Sequence, residues 1–465
     1  MIKKVIAVLS LLMLLCGCDA LIYSNETQDE INVVLSGNEN LTINKAGTYV
    51  LSGELNGSII VDSQGDVKLI LDGANINATN FAAIYIKSAN MCTISLADGS
   101  DNYLSDSETY TQIDDNNVDG VIYSKDDLVL TGSGSLTVTG NYKHGIVSKD
   151  DLTINSGTYN VTVNSTGIVG KDHLTINGGT INVTSGKDSL KSNNDEDEDL
   201  GIITINGGDI NINSGDDAIT AYTSLIINGG DININKSYEG LESAKITING
   251  GNITIIASDD GINAASKTDG YSLLRINGGN IYVNAEGDGI DSNGDIQIEG
   301  GDVTVFGADN DGDGALDYDS SALINGGNFI AIGMSGMAEN FSSDSSVVSV
   351  LYNLDNTYTK GSTITIMDSD NNILFTTSAV KSFNSILFAS DKLEVGDTVT
   401  IEIDDDSFSY TIEEVVSSYG NVGMNGGAMG GPQGGDFDSN FQGGPGEFNG
   451  EMPTDMPNSG DGTQS

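Results

Sequence analysis

The residues of this chain with the greatest chemical potential are carboxylates that recur at intervals along its middle. Each belongs to a short motif of an acidic residue, a small residue and an Ile or Leu. The copies are Asp188-Ser-Leu, Asp217-Ala-Ile, Glu239-Gly-Leu, Asp260-Gly-Ile and Asp288-Gly-Ile. Glu242 and Asp291 follow three residues after Glu239 and Asp288 and form a second row. Oxygen-rich groups of this kind bind divalent cations, and calcium tolerates their irregular geometry best.

Two alternatives remain open for these carboxylates. If the motifs lie one above another, neighbouring carboxylates about 5 Å apart repel one another. They then either fan out into water or hold a cation between them. We predict calcium as the cofactor, with Asp188, Asp217, Glu239, Glu242, Asp260, Asp288 and Asp291 as metal ligands.

A further acidic segment matches the start of an EF-hand-type calcium loop. Asp309, Asp311 and Asp313 alternate with Asn and Gly, but a serine stands where the bidentate Glu belongs. No helix is predicted on either side. Asp317 and Asp319 are the remaining oxygen donors, so we predict a calcium site that is not an EF-hand.

Residues 193–199, Asn-Asn-Asp-Glu-Asp-Glu-Asp, form an acidic insertion with two possible roles. It either clamps a cation against Asp216 and Asp217 or is a solvated loop.

Three lysines precede aspartates in another repeated motif. Lys125 and Lys149 lie in Ser-Lys-Asp-Asp-Leu, and Lys171 lies in Gly-Lys-Asp-His-Leu. These lysines either contact an anionic sugar or form stacked ion pairs, which individually stabilise a fold very little. His144 and His173 share no short spacing with a cysteine, so no zinc site is predicted.

The charge balance excludes several classes of partner. The formal net charge is -49, with 67 acidic residues against 18 basic ones. Such a surface repels the phosphates of nucleic acids and anionic lipids, so we expect neither as a partner. It attracts divalent cations, and it also keeps an exported protein soluble.

Internal repeats identify the elements that must position these groups. The Asn of Ile-Asn-Gly-Gly falls at 177, 206, 228 and 249, with steps of 21 or 22 residues and one of 29. Each unit is predicted to contain a strand, an Asn-Gly-Gly corner, a second strand, and a turn into a third short strand. Apolar residues alternate within a unit, which is typical of strands with one buried face.

The repeats predict an all-β fold, a right-handed parallel β-helix. Asn-Gly also favours type I′ hairpins, which would give an antiparallel meander instead. The helix is preferred because the repeats align at nearly constant length. In a stack, Asn206, Asn228 and Asn249 would form a ladder of side-chain amides.

Five segments are predicted along the chain. Residues 1–17 are a lipoprotein signal peptide, 18–30 a linker, 31–340 the β-helix, 341–418 a small antiparallel β module and 419–465 a disordered tail rich in Gly and Met. Leu15-Cys16-Gly17-Cys18 resembles the lipobox of bacterial lipoproteins, which implies cleavage before Cys18 and its lipidation. An ordinary cleaved signal peptide is the alternative. The predicted location is the cell membrane, lipid-anchored and facing outward.

The repeats together resemble a known family, the carbohydrate-binding, calcium-containing parallel β-helix proteins of Gram-positive anaerobes, which have a pectate-lyase-like fold. The motifs are Ser-Lys-Asp-Asp-Leu, Lys187-Asp-Ser-Leu-Lys-Ser with its acidic insertion, Ile-Asn-Gly-Gly, Ala315-Leu-Asp-Tyr-Asp and Ser335-Gly-Met-Ala. The resemblance covers roughly residues 30–340. It implies binding of plant cell-wall polysaccharides, including cellulose and polygalacturonate, with calcium in a structural or bridging role.

The residues support an acidic polysaccharide better than a flat crystalline one. The chain has no tryptophan to stack on sugar rings. Tyrosines such as Tyr142 and Tyr222 are weaker stacking candidates. Calcium that bridges protein and sugar carboxylates fits this composition better.

Two rival functions remain open. A pectate-lyase-like enzyme needs calcium and a basic side chain next to the proton beside a uronate carboxylate, for which Lys187 and Lys191 are the candidates. The other rival is a surface adhesin or scaffold without a sugar ligand. The sequence predicts no oligomeric state.

Overall fold

The computed structural model describes residues 30–268 and 270–420, and these consist of strands and turns without a helix. Strands β1 to β20 are Ile31–Leu35, Leu41–Ile43, Gly47–Leu55, Ile59–Asp62, Val67–Asn77, Ile84–Ser88, Cys92–Leu96, Asp101–Ser105, Gly120–Ser124, Leu128–Gly132, Ser135–Gly140, His144–Ser148, Leu152–Ile154, Thr158–Val163, Ile168–Gly170, His173–Ile176, Thr180–Ser185, Leu190–Ser192, Ile202–Ile205 and Asp209–Asn213. Strands β21 to β40 are Ile219–Ile227, Asp231–Ser237, Leu241–Ile248, Asn252–Ala257, Ile262–Ala264, Leu273–Ile276, Asn280–Ala285, Ile290–Ser292, Asp295–Ile298, Asp302–Phe306, Asp317–Tyr318, Ser321–Ile324, Asn328–Gly333, Val348–Tyr358, Thr363–Met367, Ile373–Ser378, Phe383–Ser390, Thr398–Ile403, Asp406–Thr411 and Val416–Gly420.

The strands wind into a solenoid of about 12 turns, and the predicted parallel β-helix is confirmed. The first sheet contains β1, β3, β5, β7, β10, β13, β16, β19, β21, β23, β26, β29 and β32. The second contains the ends of β3 and β5 and then β8, β11, β14, β17, β20, β22, β24, β27, β30 and β33. The third contains β2, β4, β6, β9, β12, β15, β18, the beginnings of β21 and β23, and then β25, β28 and β31. All of these pairings are parallel, which excludes the meander.

The register between turns places like residues on like residues. In the first sheet one inward column consists of Leu128, Leu152, Leu174, Ile203, Leu225, Ile246, Leu274 and Ile296. Each of these side chains is at most 1% exposed. Columns like this one form a continuous apolar core, which explains why each unit keeps the same alternation of residues.

The Asn-Gly-Gly corner joins the first sheet to the second. Its second glycine adopts a left-handed backbone, as in Gly208 (φ 110°), and a Cβ there would meet a carbonyl of the turn below. The predicted amide ladder is present, with Asn228 Nδ2 donating to Asn206 Oδ1 and Asn249 Nδ2 donating to Asn228 Oδ1, both at 2.7 Å. The corner therefore turns the chain and also gives each Asn side-chain amide a hydrogen-bond partner on the neighbouring turn.

A small antiparallel sheet follows the β-helix, as the sequence predicted. Its strand order is β36-β35-β38-β39. The connecting strand β37 pairs antiparallel with β33, the last strand of the second sheet, and β34 pairs with β37. The module therefore covers the edge that β33 would otherwise expose, and its residues share a second apolar core with Phe306, Ile330 and Ile332 of the β-helix.

Several predictions concern residues outside the described ranges. These are the signal peptide, lipidation of Cys18, nearly all of the linker and nearly all of the disordered tail. Within the described ranges, no helix has the length and apolar character needed to cross the membrane.

Candidate functional site

Most of the predicted site residues lie on the third sheet or in the turns that flank its strands. Its short strands have one outward side chain per turn. In register, this row consists of Tyr85, Tyr123, Val147, Val169, Lys191, Thr220, Glu242, Asn263, Asp291 and Asp317. The row thus changes along the axis from aromatic and apolar to basic and then to acidic.

The repeated acidic motif lies just before each third-sheet strand. Backbone hydrogen bonds place Asp188, Asp217, Glu239, Asp260 and Asp288 on successive turns. We call these five residues the acidic column. Glu242 and Asp291 lie beside it in the outward row of the sheet, with Asn263 between them. The small residue after each acid is required because the chain turns there against the next coil, as at Gly261, where a Cβ would lie 2.2 Å from Val283.

Four members of the acidic column, Asp217, Glu239, Asp260 and Asp288, are half-buried, as is Asp291 beside it, and the pKa values of these carboxyl groups are raised. Burial, reinforced by neighbouring carboxylates, is the cause. It raises the pKa of Asp217 to about 7, of Glu239 to about 8, of Asp260 to about 6, and of Asp288 and Asp291 to about 7. Asp188 forms an ion pair with Lys191.

Four groups of carboxylates in the described chain have oxygens within 4.8 Å of one another, close enough to share a cation. One is exposed and consists of Asp127, Asp150 and Asp151, at the repeated lysine motifs. The other three lie at the acidic column and are Asp188, Asp216 and Asp217; Asp217, Glu239 and Glu242; and Glu239, Asp259 and Asp260. Within the described chain, Glu239 Oε2 and Asn263 Oδ1 are buried and have no hydrogen-bond partner. Such an all-oxygen donor set with unpartnered acceptors fits calcium.

The acidic loop at 309–313 is only partly joined to these groups. Asp309 and Asp311 are exposed. Asp313 and Asp317 lie close enough to the column to raise the pKa of Asp288, after the larger effect of burial. Among the described residues, no group of three carboxylates forms within the loop. A calcium site at this loop therefore remains a prediction.

The acidic insertion lies over Lys171 and Asp172, which belong to the preceding turn. Asn194 Nδ2 donates to Asp172 Oδ1, and Glu196 Oε1 is 3.9 Å from Lys171 Nζ. In the described chain, no carboxylate of the insertion belongs to the groups that contain Asp216 and Asp217. The geometry thus favours a loop folded onto the preceding turn over a clamp.

A cavity of about 320 Å³ lies next to the acidic column on the third sheet. Its floor is formed by Val147 and Val169, which are 4% and 9% exposed. Its lysines are Lys149, Lys171, Lys187 and Lys191. We call it the lysine cavity. Two of these lysines, Lys149 and Lys171, were predicted to contact sugar, and the other two, Lys187 and Lys191, are the candidates for a catalytic base.

The other predicted sugar-contacting residues lie outside the cavity. Lys125 is exposed one turn below Lys149. Tyr142 stacks on Tyr110 with ring centroids 4.4 Å apart, and Lys143 Nζ lies over the Tyr142 ring, 5.3 Å from its centroid. Tyr222 is half-buried on the turn above the acidic insertion. Neither tyrosine lines the cavity.

Comparison with known proteins identifies the family of this chain. The family described as carbohydrate-binding domain-containing protein matches residues 37–270, half of the chain. The chain belongs to this carbohydrate-binding family. The matched residues contain the whole lysine cavity and the acidic column as far as Asp260.

One relative in the carbohydrate-binding family is a protein of the same description from Acetivibrio thermocellus. It is 42% identical over 142 residues, which are 30% of this chain and 49% of the relative. The chain thus matches about half of that relative's length. A solved structure, the polysaccharide lyase-like protein from C. thermocellum as a gadolinium derivative, is 28% identical with a TM-score of 0.38, covering 63% of this chain and 96% of that one.

Sequence reasoning missed His144 and Asp119, which both line the lysine cavity. The Thr166 amide donates to His144 Nδ1, so the ring proton lies on Nε2, 3.6 Å from Asp119. Burial lowers the pKa of His144 and keeps the ring neutral. No motif indicated this pair, because Asp119 ends a loop between repeats. Asn263, in contrast, lies three residues after Asp260, at the spacing that identified Glu242 and Asp291.

Proposed function

We propose that the protein binds an acidic polysaccharide along the outer face of the third sheet, with calcium between the acidic column and the ligand's uronate groups. Membership of the carbohydrate-binding family supports a sugar ligand in general. The calcium and the acidic ligand are inferred from the carboxylates. A plant cell-wall polymer such as polygalacturonate is the preferred ligand, and cellulose is the alternative.

One observation carries this proposal. Glu239 Oε2 and Asn263 Oδ1 are buried acceptors without a donor in the described chain, and they lie beside Asp217 and Glu242. A buried acceptor without a partner costs about 1–3 kcal/mol. A calcium ion held by these four residues would supply the missing partner and neutralise the carboxylates. Because calcium accepts many oxygen ligands, it could also take the carboxylates of a bound sugar.

We further propose that the protein acts at the cell surface as a lipoprotein. This rests on the resemblance of Cys18 and its neighbours to a lipobox, since these residues lie outside the described ranges. A single lipid modification adds membrane affinity without a spanning segment. Metabolic labelling with palmitate should label the protein, and the Cys18→Ser variant should lose the label and leave the membrane fraction.

Affinity electrophoresis tests the sugar ligand. Polygalacturonate in the gel should retard the protein when calcium is present, and chelation should remove most of the retardation. Glu239→Gln keeps the side-chain shape but removes a charge from the group, so it should weaken calcium-dependent retention roughly tenfold. Gels with cellulose derivatives and xylan identify the preferred polymer.

Asp72→Asn is the matched control, because Asp72 is an exposed acid far from the third sheet's acidic groups in the chain. It should leave retention unchanged. Retention that is equal with and without calcium, or equal for Glu239→Gln and wild type, would contradict the proposed bridge.

A lyase is the second candidate function. The observation in its favour is that Lys187 and Lys191 line one cavity beside Asp188 and Asp216. A lyase would release unsaturated uronide from polygalacturonate with calcium, which ultraviolet absorbance detects. Release that Lys187→Gln abolishes would make the protein an enzyme rather than a binding protein.

A further inference from the structure

We propose that the lysine cavity is a metal-independent subsite for one hexuronate unit of the polysaccharide. This rests on the proposed function, but it assigns to the cavity a different means of recognition. Calcium would bridge carboxylates at the acidic column, whereas here ammonium groups of the protein would bind a sugar carboxylate directly.

The concentration of positive charge in this cavity is the first argument. The whole chain has 18 basic residues against 67 acidic ones, yet four lysines line this one cavity. Three aspartates, Asp119, Asp188 and Asp216, also line it. The local balance is therefore slightly positive in a protein whose formal charge is -49. Such a local reversal attracts a compact anion.

Two of the lysines lack a carboxylate of their own. Lys191 pairs with Asp188, and Lys171 lies 3.9 Å from Glu196, whose side chain is 78% exposed. Lys149 and Lys187 form no ion pair within the described parts of the chain. Their ammonium groups are therefore free to bind a ligand carboxylate by charge-assisted hydrogen bonds.

These two lysines stand on opposite sides of the cavity. Lys149 follows strand β12 immediately, whereas Lys187 lies three residues before the start of strand β18. The outward residues of the intervening strands, Val147 and Val169, form the floor between them. A pyranose ring could place its apolar C–H face on these valines while lysines reach its carboxylate from either side.

The remaining groups favour a sugar acid over a phosphate. The three aspartates would repel a dianionic ligand, but their oxygens accept hydrogen bonds from hydroxyl groups. Ser165, Thr166 and Asn193 add further polar atoms to the lining. A ligand with one negative charge and several hydroxyls fits both the lysines, which bind the charge, and the aspartates and polar residues, which bind the hydroxyls. The volume of about 320 Å³ is small for a ligand site, which suits one sugar unit.

Isothermal titration with trigalacturonate in metal-free buffer with EDTA tests the subsite. Wild-type protein should bind, and Lys149→Gln and Lys187→Gln should each weaken binding roughly tenfold, because each removes one charge-assisted hydrogen bond. The methyl ester of the same oligomer, which has no charge, should bind at least as weakly as the variants. Both lysines are exposed, so these substitutions leave the core intact.

Two lysines serve as controls. Lys245 is exposed on the first sheet, and Lys125 lies one turn below Lys149 but outside the cavity. Their Gln variants should bind like wild type. Loss of binding in Lys125→Gln equal to that in Lys149→Gln would overturn the proposal. The ligand would then bind to exposed lysines in general and not to the cavity.

The outcomes separate this inference from the proposed function. Calcium-dependent retention on polygalacturonate without any oligomer binding in EDTA would overturn the subsite and leave the proposed function intact. Oligomer binding in EDTA that both lysine variants lose, without calcium-dependent retention, would support the subsite and contradict the calcium bridge. Equal binding of the acid and its ester would overturn the subsite.

Discussion

Burial raises the pKa values of four carboxyl groups of the acidic column, those of Asp217, Glu239, Asp260 and Asp288. Their pKa values in the folded chain, about 6 to 8, exceed the value of about 4 expected in an unfolded chain. Between these values the folded state binds more protons than the unfolded state. The stability contributed by these groups is therefore complete at low pH and declines as the pH rises through their folded pKa values.

Thermal unfolding of metal-free protein tests this pH dependence. The midpoint temperature should fall as the pH rises from about 5 to about 8. The same rise in pH should lower the free energy of unfolding, and Glu239→Gln should make this loss smaller by about 2 kcal/mol. This figure is discounted for solvent screening because Glu239 is not fully buried. Asp72→Asn should follow the wild-type profile. A stability that rises with pH in the absence of metal would contradict the prediction.

At the scale of elements, the Asn-Gly-Gly corner contains two glycines with different constraints. Gly230 has φ of 108°, and a Cβ there would lie 3.0 Å from the Gly208 carbonyl oxygen. A Cβ on Gly229 would lie 3.5 Å from the nearest atom, the Asn206 carbonyl oxygen, which is an ordinary contact. Gly230→Ala should therefore cost about 1–3 kcal/mol of unfolding free energy.

Gly229→Ala is the matched control and should change stability by less than about 0.5 kcal/mol. Chemical denaturation of both variants measures the difference. Equal costs for the two substitutions would show that the backbone conformation of the second glycine does not limit the corner.

The elements were more predictable than the site. The alternation of Ile203, Ile205, Ile210 and Ile212 and the nearly constant repeat length predicted the turns, because a stack requires the same residue at the same place in every coil. The same logic predicted the acidic column. It could not predict the lysine cavity, because Lys149 and Lys187 come from opposite ends of strands in different turns and follow different motifs. Only the register brings them to one place.

At the scale of the whole molecule, Lys381 joins the C-terminal module to the β-helix. Its side chain is 10% exposed, and Nζ donates to the carbonyl oxygens of Ala285 and Gly307. Glu286 lies 3.3 Å away. Lys381→Met would leave these carbonyls without their donor and should cost about 2 kcal/mol.

Hydrogen exchange can locate this effect. Lys381→Met should speed exchange in residues 341–418 more than in the central turns. Lys392→Met is the control, since Lys392 is exposed in the same module. Unchanged exchange in Lys381→Met would show that the pairing of β33 with β37 alone holds the module.

Each coil hydrogen-bonds only to the coil before it and the coil after it. In such a one-dimensional array, fraying starts at the termini and must pass through every intervening coil to reach the middle. The lysine cavity and most of the acidic column lie on central coils, with further coils toward β1 on one side and the C-terminal module on the other. Partial melting of either extremity would therefore leave the ligand-facing surface intact.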